Sequence, residues 1–336
     1  MRKIKRIVIL ITVLTLVFCL SSCKGDKGMD ASTVSAQEPE SSTAIPSVSS
    51  DSGNNSPAPT EKGSLAIIDP IIDEAILIMD TVRQDGFTPV ALKNEKRLVY
   101  DTLNAEEKAL YDELILKVRE FESFIYTADK YGYDVLDRVF LVSDAIMMDW
   151  PELENYFIIH EVLEGNMTVA LESRYFMPGG VNMEPANIDA LRKETELFDA
   201  VCQRIVERMP EGLSGYDQYR YLATVISLVT DYDDFFEGGW QDKTAYGSIM
   251  GGYSICQGYS RGFMTLCQKA GLWCVTVGGV AGENEGHMWN MVKLDTGNYH
   301  VDVTWSDGRG MPDSAEWLSC FMLTEDEITV DHLIVD

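Results

Sequence analysis

A thiol, an imidazole and a carboxylate are the side-chain types from which nucleophilic chemistry near neutral pH is assembled. The chain brings all three types into a single stretch, at Cys256, His287 and Asp302. Cys256 opens the run Cys256-Gln257-Gly258-Tyr259-Ser260-Arg261-Gly262-Phe263. From there Tyr259, Phe263, Leu266, Cys267 and Ala270 recur on one helical face, and Gly271 supplies a terminator. This spacing predicts a helix that starts at or near Cys256. A thiol at such a start is favoured as thiolate by the exposed N–H groups and the dipole of the first turn. Gly258 and Gly262 each cost the helix about 1 kcal/mol relative to Ala, so another backbone is expected to pack closely against them.

After the helix, Leu272-Trp273-Cys274-Val275-Thr276-Val277 reads as a strand and Gly278 to Gly286 as a Gly-rich loop. His287 to Leu294 and Tyr299 to Trp305 then flank Asp295-Thr296-Gly297-Asn298 as the two arms of a hairpin. With a loop of two or four residues, cross-strand partners sum to an odd number, which places His287 and Asp302 on one face. A turn centred on Asp295-Thr296 sets Asp302 opposite Trp289, one diagonal step from His287 and about 7 to 8 Å away between backbones. A turn centred on Thr296-Gly297 sets it opposite Met291, farther off. The residues alone favour the turn that contains Gly.

Other candidate groups carry less chemistry. Asn290 and His300 are expected to be structural residues of the hairpin, and Trp289 and Trp305 to pack, with walling of the site against water as the alternative. Cys202, Cys267, Cys274 and Cys320 show no metal-ligand spacing and are expected to be buried packing residues. Without Cys19 and Cys23 of the leader region, five cysteines remain, an odd number that leaves a free thiol in a monomer. His160-Glu161 lacks the second His of a zincin, and Asp231, Asp233, Asp234 and Glu237 do not follow the EF-hand pattern. No metal and no cofactor are expected.

The chain has 336 residues, with 27 Lys+Arg against 54 Asp+Glu and a formal net charge of −27. That balance disfavours a nucleic-acid partner. Hydrophobic and charged fractions of 46% and 24% are ordinary for a globular protein. Arg2, Lys3, Lys5 and Arg6 precede an uncharged apolar run from Ile7 to Leu20, which reads as a secretion signal over residues 1–22. Its ending, Leu20-Ser21-Ser22-Cys23, resembles a bacterial lipobox whose Cys23 is lipidated. Losing the four basic leader residues changes the charge from −27 to −31. Residues 23–63 are dominated by Ser, Pro, Thr, Gly and Asn, a composition that cannot offset its ordering entropy and suits a tether. A mainly helical module is expected over 64–210. Ile67, Ile71, Ile72, Ala75, Ile78, Met79 and Val82 form one apolar stripe. A second helix has Asn104 as its N-cap and Leu110, Leu114, Val118 and Phe121 on its apolar side. Two short strands are expected near 156–159 and 169–176, followed by a helix over 187–209.

Residues 211–336 form the last module. Its segments Cys256-Gln257-Gly258-Tyr259, Gly271-Leu272, His287-Met288-Trp289-Asn290 and Val301-Asp302-Val303-Thr304-Trp305 resemble the bacterial transglutaminase-like superfamily, part of the papain-like fold. Thr230-Asp231-Tyr232-Asp233, Thr244-Ala245-Tyr246-Gly247, Phe321-Met322-Leu323-Thr324 and Asp331-His332 are similar to flanking segments of secreted members. The resemblance covers about 215–332 and extends only loosely to the helical module. It implies an α+β fold in which a helix carrying the thiol packs on an antiparallel sheet, with the hairpin register that sets Asp302 opposite Trp289. It also implies a catalytic triad in a lipid-anchored extracytoplasmic enzyme. Cys256 would be the nucleophile, His287 the general base and acid, and Asp302 the group that orients the imidazole. The Cys256 N–H is an expected oxyanion donor, with Trp240, Gln241 and Tyr246 as unranked side-chain candidates. A peptide amide would be the substrate, and water or an amine acceptor would resolve the thioester. The alternative is an inactive module that binds a peptide or cell-wall fragment.

Overall fold

The computed structural model describes residues 65–81, 99–122, 125–127, 130, 132–155, 158–162, 168–172, 185–235 and 241–335. The expected leader, Cys23 and the expected tether lie outside the described residues. Among those described, no helix is long and apolar enough to cross a membrane.

In the first half, α1 (Leu65–Thr81) and α2 (Ala105–Arg119) form where the apolar spacing predicts them. Asn104 caps α2 in a complete capping box with Glu107. A three-stranded sheet joins β1 (Ile125–Thr127), β3 (Thr168–Glu172) and β2 (Ile158–Val162) in the order β1-β3-β2. Its edge strand β1 was not foreseen in the sequence. Helix α3 (Tyr133–Asp149) ends in a buried carboxylate, Asp149, which accepts from the Val99 and Tyr100 N–H groups and the Tyr111 hydroxyl at 2.8 to 3.0 Å. Helix α4 (Pro185–Glu207) contributes to two cores. Leu191 packs with α2 and α3, whereas Phe198, Val201, Cys202 and Ile205 pack with α1 and the C-terminal elements. One apolar core therefore runs across residue 210, the expected boundary between modules.

In the second half, α5 (Gly215–Val229) precedes a small parallel pair, β4 (Asp231–Tyr232) with β5 (Tyr253–Ser254). Helix α6 (Cys256–Lys269) starts at the thiol itself, with Ile255 as an extended N-cap. Its end is a Schellman arrangement: Gly271, at φ +70°, donates to Gln268 O and Leu272 donates to Cys267 O. The close backbone expected at Gly258 is present. A Cβ there would lie 2.6 Å from the Asp242 carbonyl oxygen, 3.0 Å from that of Thr244 and 1.8 Å from Ser254 Oγ. Ile255 N–H and Ser254 Oγ both donate to that same Asp242 carbonyl, which fixes the approach of the chain to the helix.

The main sheet is antiparallel, in the order β10-β6-β7-β8-β9. Strand β6 (Cys274–Ala281) runs through Gly278 and Gly279, which the sequence assigns to a loop. A Cβ at Gly279 would meet the Leu333 carbonyl oxygen at 2.2 Å and the Trp289 ring at 2.7 Å, so glycine lets neighbouring chain close on that strand. Strands β7 (Glu285–Leu294) and β8 (Gly297–Val301) pair as Leu294 with Gly297 and Asn290 with Val301. The turn is thus Asp295-Thr296, the register adopted from the family resemblance, and not the Gly-containing turn. Gly297 instead opens β8 at φ +150°. The second arm stops at Val301, short of the expected Trp305. Asp302 leaves the sheet and caps α7 (Val303–Arg309), accepting the Trp305 N–H on Oδ1 at 3.1 Å. Helix α8 (Ala315–Leu318), β9 (Phe321–Leu323), α9 (Glu325–Ile328) and β10 (His332–Ile334) complete the described fold. Val292 and Leu294 join the core shared with α6, while Val277, Trp289 and Ile328 form a smaller cluster.

Gly258→Ala is expected to lower stability by about 2 to 3 kcal/mol, the range of an overpacked core, because two backbone carbonyls stand in the way besides the Ser254 hydroxyl. Denaturant unfolding checks this. An unchanged midpoint would show that the Asp242 segment yields freely.

Candidate active site

Three elements bring Cys256, His287 and Asp302 together. Cys256 is the first residue of α6, His287 the third of β7, and Asp302 the cap between β8 and α7. His287 Nε2 lies 2.8 Å from Asp302 Oδ2. The Cys256 thiol lies near enough to the same imidazole to favour its charged form. Since Nε2 is committed to the carboxylate, Nδ1 is the ring nitrogen left for sulfur. Cys256 and His287 are only 6% and 7% exposed, and Asp302 is fully buried. The thiol and imidazole nevertheless border a cleft of about 670 Å³, whose lining includes Tyr232, Glu283, Glu285, Trp305 and Arg309. That size suits a small-molecule or side-chain ligand.

Burial disfavours a charged His287 ring, but the Asp302 carboxylate and its hydrogen bond outweigh it, with Cys256 adding to them, and raise the imidazole to about 10. Burial likewise disfavours ionised Asp302. The His287 and His332 imidazoles and the Trp305 N–H more than offset this and hold the carboxyl well below the usual range. The thiols of Cys202 and Cys267 are pushed far up by burial, and Cys320 to about 11. All five cysteines among the described residues are free and buried, in line with packing roles for the other four. Cys256 differs from them in adjoining both an imidazolium and a cleft.

The remaining candidates fall into place less uniformly. Asn290 donates to the Ser260 carbonyl at 3.0 Å, tying β7 to α6, and His300 Nδ1 accepts from Trp289 Nε1 at 3.0 Å. Both are structural, as expected. Trp289 is fully buried with its ring centroid 6.0 Å from that of His287. Trp305 sits on α7 rather than on a strand, and walls the cleft 5.7 Å from His287. Of the side-chain oxyanion candidates, Trp240 lies outside the described residues. Tyr246 is buried in the apolar core against the Phe198 ring, at 5.7 Å. Gln241 stands in a 3₁₀ turn (Gln241–Lys243), half-buried, where its backbone carbonyl accepts from Thr244.

His332 is the site residue that sequence reasoning missed as a chemical group. Its Nε2 lies 3.0 Å from the same Asp302 oxygen that His287 contacts. The only signal for it was its place in the Asp331-His332 segment. Its position depends on β10 pairing with β6, His332 against Ala281, a long-range contact that no local pattern announces. The ligand-capable atoms of His287, Asp302 and His332 lie within 4.8 Å of one another. Hydrogen bonds from two protonated ring nitrogens to one carboxylate account for that closeness.

Among solved structures, the chain is similar to one described as a TGase, with 14% identity, a TM-score of 0.28, and coverage of 44% of this chain and 43% of that one. It is also similar to a protein provisionally described as a cysteine protease from Cytophaga hutchinsonii, with 10% identity, a TM-score of 0.28, and coverage of 55% and 65%. The chain thus spans less than two thirds of either neighbour. No family model and no curated protein matches it.

The His287 ring is expected to titrate near pH 10, which ring NMR can follow. The stability that this raised value contributes is complete below the ordinary 6.5 and is lost as pH rises through about 10. In Asp302→Asn the midpoint should fall by at least about 2 pH units, since the carboxylate no longer opposes burial. An unmoved midpoint would dissociate the carboxylate from the imidazole's charge.

Proposed function

We propose that the chain is a transglutaminase-like cysteine acyltransferase or peptidase, held outside the cytoplasm by lipid on Cys23. The observation that carries the reading is the meeting of Cys256, at the first position of a helix, with an imidazole held by a buried carboxylate beside a cleft. In the first half-reaction the Cys256 thiolate attacks the carbonyl carbon of a peptide amide, forming a C–S bond. The carbonyl oxygen takes up the negative charge. The Cys256 N–H is one donor towards it, because a first-turn N–H has no intrahelical acceptor. His287 then gives its proton to the leaving nitrogen as the C–N bond breaks. The product is a thioester and a neutral imidazole. In the second half-reaction His287 takes a proton from water or an amine, which attacks the thioester and frees the thiolate. Water gives hydrolysis and an amine gives a crosslink. Asp302 fixes the ring and stabilises its cation throughout.

The test is to incubate wild type and Cys256→Ala with a Gln-containing protein mixture and a tagged amine, and to score amine incorporation and cleavage by mass spectrometry. At least one product is expected to depend on Cys256, with a loss of about 10³-fold or more in the variant. Iodoacetamide should label Cys256 faster than the other four thiols. Cys256-independent products together with undistinguished labelling would favour the inactive binding module.

A further inference from the structure

His332 has carboxylate oxygens on both sides of its ring. Nε2 lies 3.0 Å from Asp302 Oδ2, and Nδ1 lies 2.6 Å from Asp331 Oδ1. An ionised carboxylate only accepts, so each contact requires a proton on the nitrogen that makes it, and a ring making both carries both protons. The ring is 3% exposed and boxed by Trp305 and Trp289, with centroids at 4.5 and 4.9 Å. The buried Cys320 thiol lies near both of these carboxylates. His287 of β7 lies 5.6 Å away between ring centroids. His300 of β8 accepts on Nδ1 from Trp289, faces Glu325 of α9 at 3.8 Å and is held towards its neutral form by burial and by His332. Arg309 of α7 reaches Asp331 at 3.5 Å and shares that outer carboxylate. Thus Asp302 stands between two imidazoles on a single oxygen, one bordering the cleft and one behind it.

We propose that His332 is a fixed cation, clamped between Asp302 and Asp331, whose charge sets how tightly Asp302 holds the His287 imidazolium. It is a positioning residue that acts through Asp302 and does not touch the reacting atoms. The proposal rests on the reading of His287 as the proton carrier, but its consequences are read in protonation and not in turnover. A second positive charge close to His287, and bound to the same oxygen, weakens the pull of Asp302 on the first ring. Removing it should strengthen that pull.

The chain has only four histidines, so ring-¹⁵N-labelled histidine in the full chain yields a spectrum that single variants can assign. Both His332 nitrogens should show protonated shifts at neutral pH. His332→Gln keeps an N–H donor within reach of Asp302 and removes the charge. In a Cys256→Ala background, where the sulfur cannot contribute, this change should move the His287 midpoint up by about one pH unit. A purely structural His332 would lower stability and leave that midpoint in place. An unprotonated His332 nitrogen, or an unmoved midpoint in folded His332→Gln, overturns the proposal. Should His332→Gln fail to fold, Asp331→Ala decides, because Asp331 is 42% exposed at its side chain and its loss spares the interior. There the His332 ring should lose a proton at lower pH, with the His287 midpoint rising in step. A ring that keeps both protons to the same pH, or loses one without moving His287, refutes the clamp. Absence of acyl transfer with any substrate would count against the proposed function and leave these outcomes unaffected.

Discussion

A carboxylate with no exposure to solvent organises this molecule. An isolated ionised carboxyl in an apolar interior is prohibitively unfavourable, yet Asp302 is held well towards its ionised form. Both oxygens are accounted for: Oδ1 by the Trp305 N–H, Oδ2 by two imidazoles. Its own N–H donates to the Cys320 carbonyl. Breaking such a set by removing one partner leaves a buried charge undercompensated, which is why its members behave as a unit. The same residue ends β8 and starts α7. The side chain that orients His287 is therefore also the cap that turns the chain out of the sheet, and local structure and chemistry share one set of bonds.

Local rules reached a long way into the site. The helix at Cys256 was readable because its apolar face and its terminator agree. Hairpin parity put His287 and Asp302 on one face, and the two side chains meet. Parity could not choose the register, and turn preference chose the wrong one, because Gly297 serves as the first residue of β8 and not as part of the turn. The end of the second arm was misread for a related reason. Val303-Thr304-Trp305 looks like strand by composition, but the capping carboxylate and the helix behind it override propensity. Gly278 and Gly279 looked like loop because glycine is poor in strands, whereas the missing side chain of Gly279 lets Trp289 and the Leu333 backbone approach. His332 escaped notice since its role exists only once β10 has docked.

The first half of the chain is joined to the second more closely than composition suggests. Helix α4 sends Leu191 to one core and Phe198 to Ile205 to another, and α1 packs mainly in the latter. Arg204 of α4 and Arg208 just past its end pair with Asp69 and Asp73 of α1 at the rim of that contact. These exposed pairs contribute little on their own; the apolar seam between the helices does the holding. Since α6 packs against α4, the helix whose first residue is Cys256 is braced from the side by elements far earlier in the chain.

The order in which the site's parts occur along the chain has a consequence for when the site exists. Thiol, first imidazole, carboxylate and second imidazole arrive at positions 256, 287, 302 and 332, and the last reaches the others only through β10 adding to the edge of β6. Edge-strand addition across fifty residues is a high-contact-order event, slow compared with forming α6 or the β7–β8 hairpin. A chain emerging vectorially would hold a helix-borne thiol and a paired imidazole before the charge behind them is in place. Maturation of the electrostatics is thereby tied to one of the later steps of folding, and a partly folded chain would carry a differently tuned site from the finished protein.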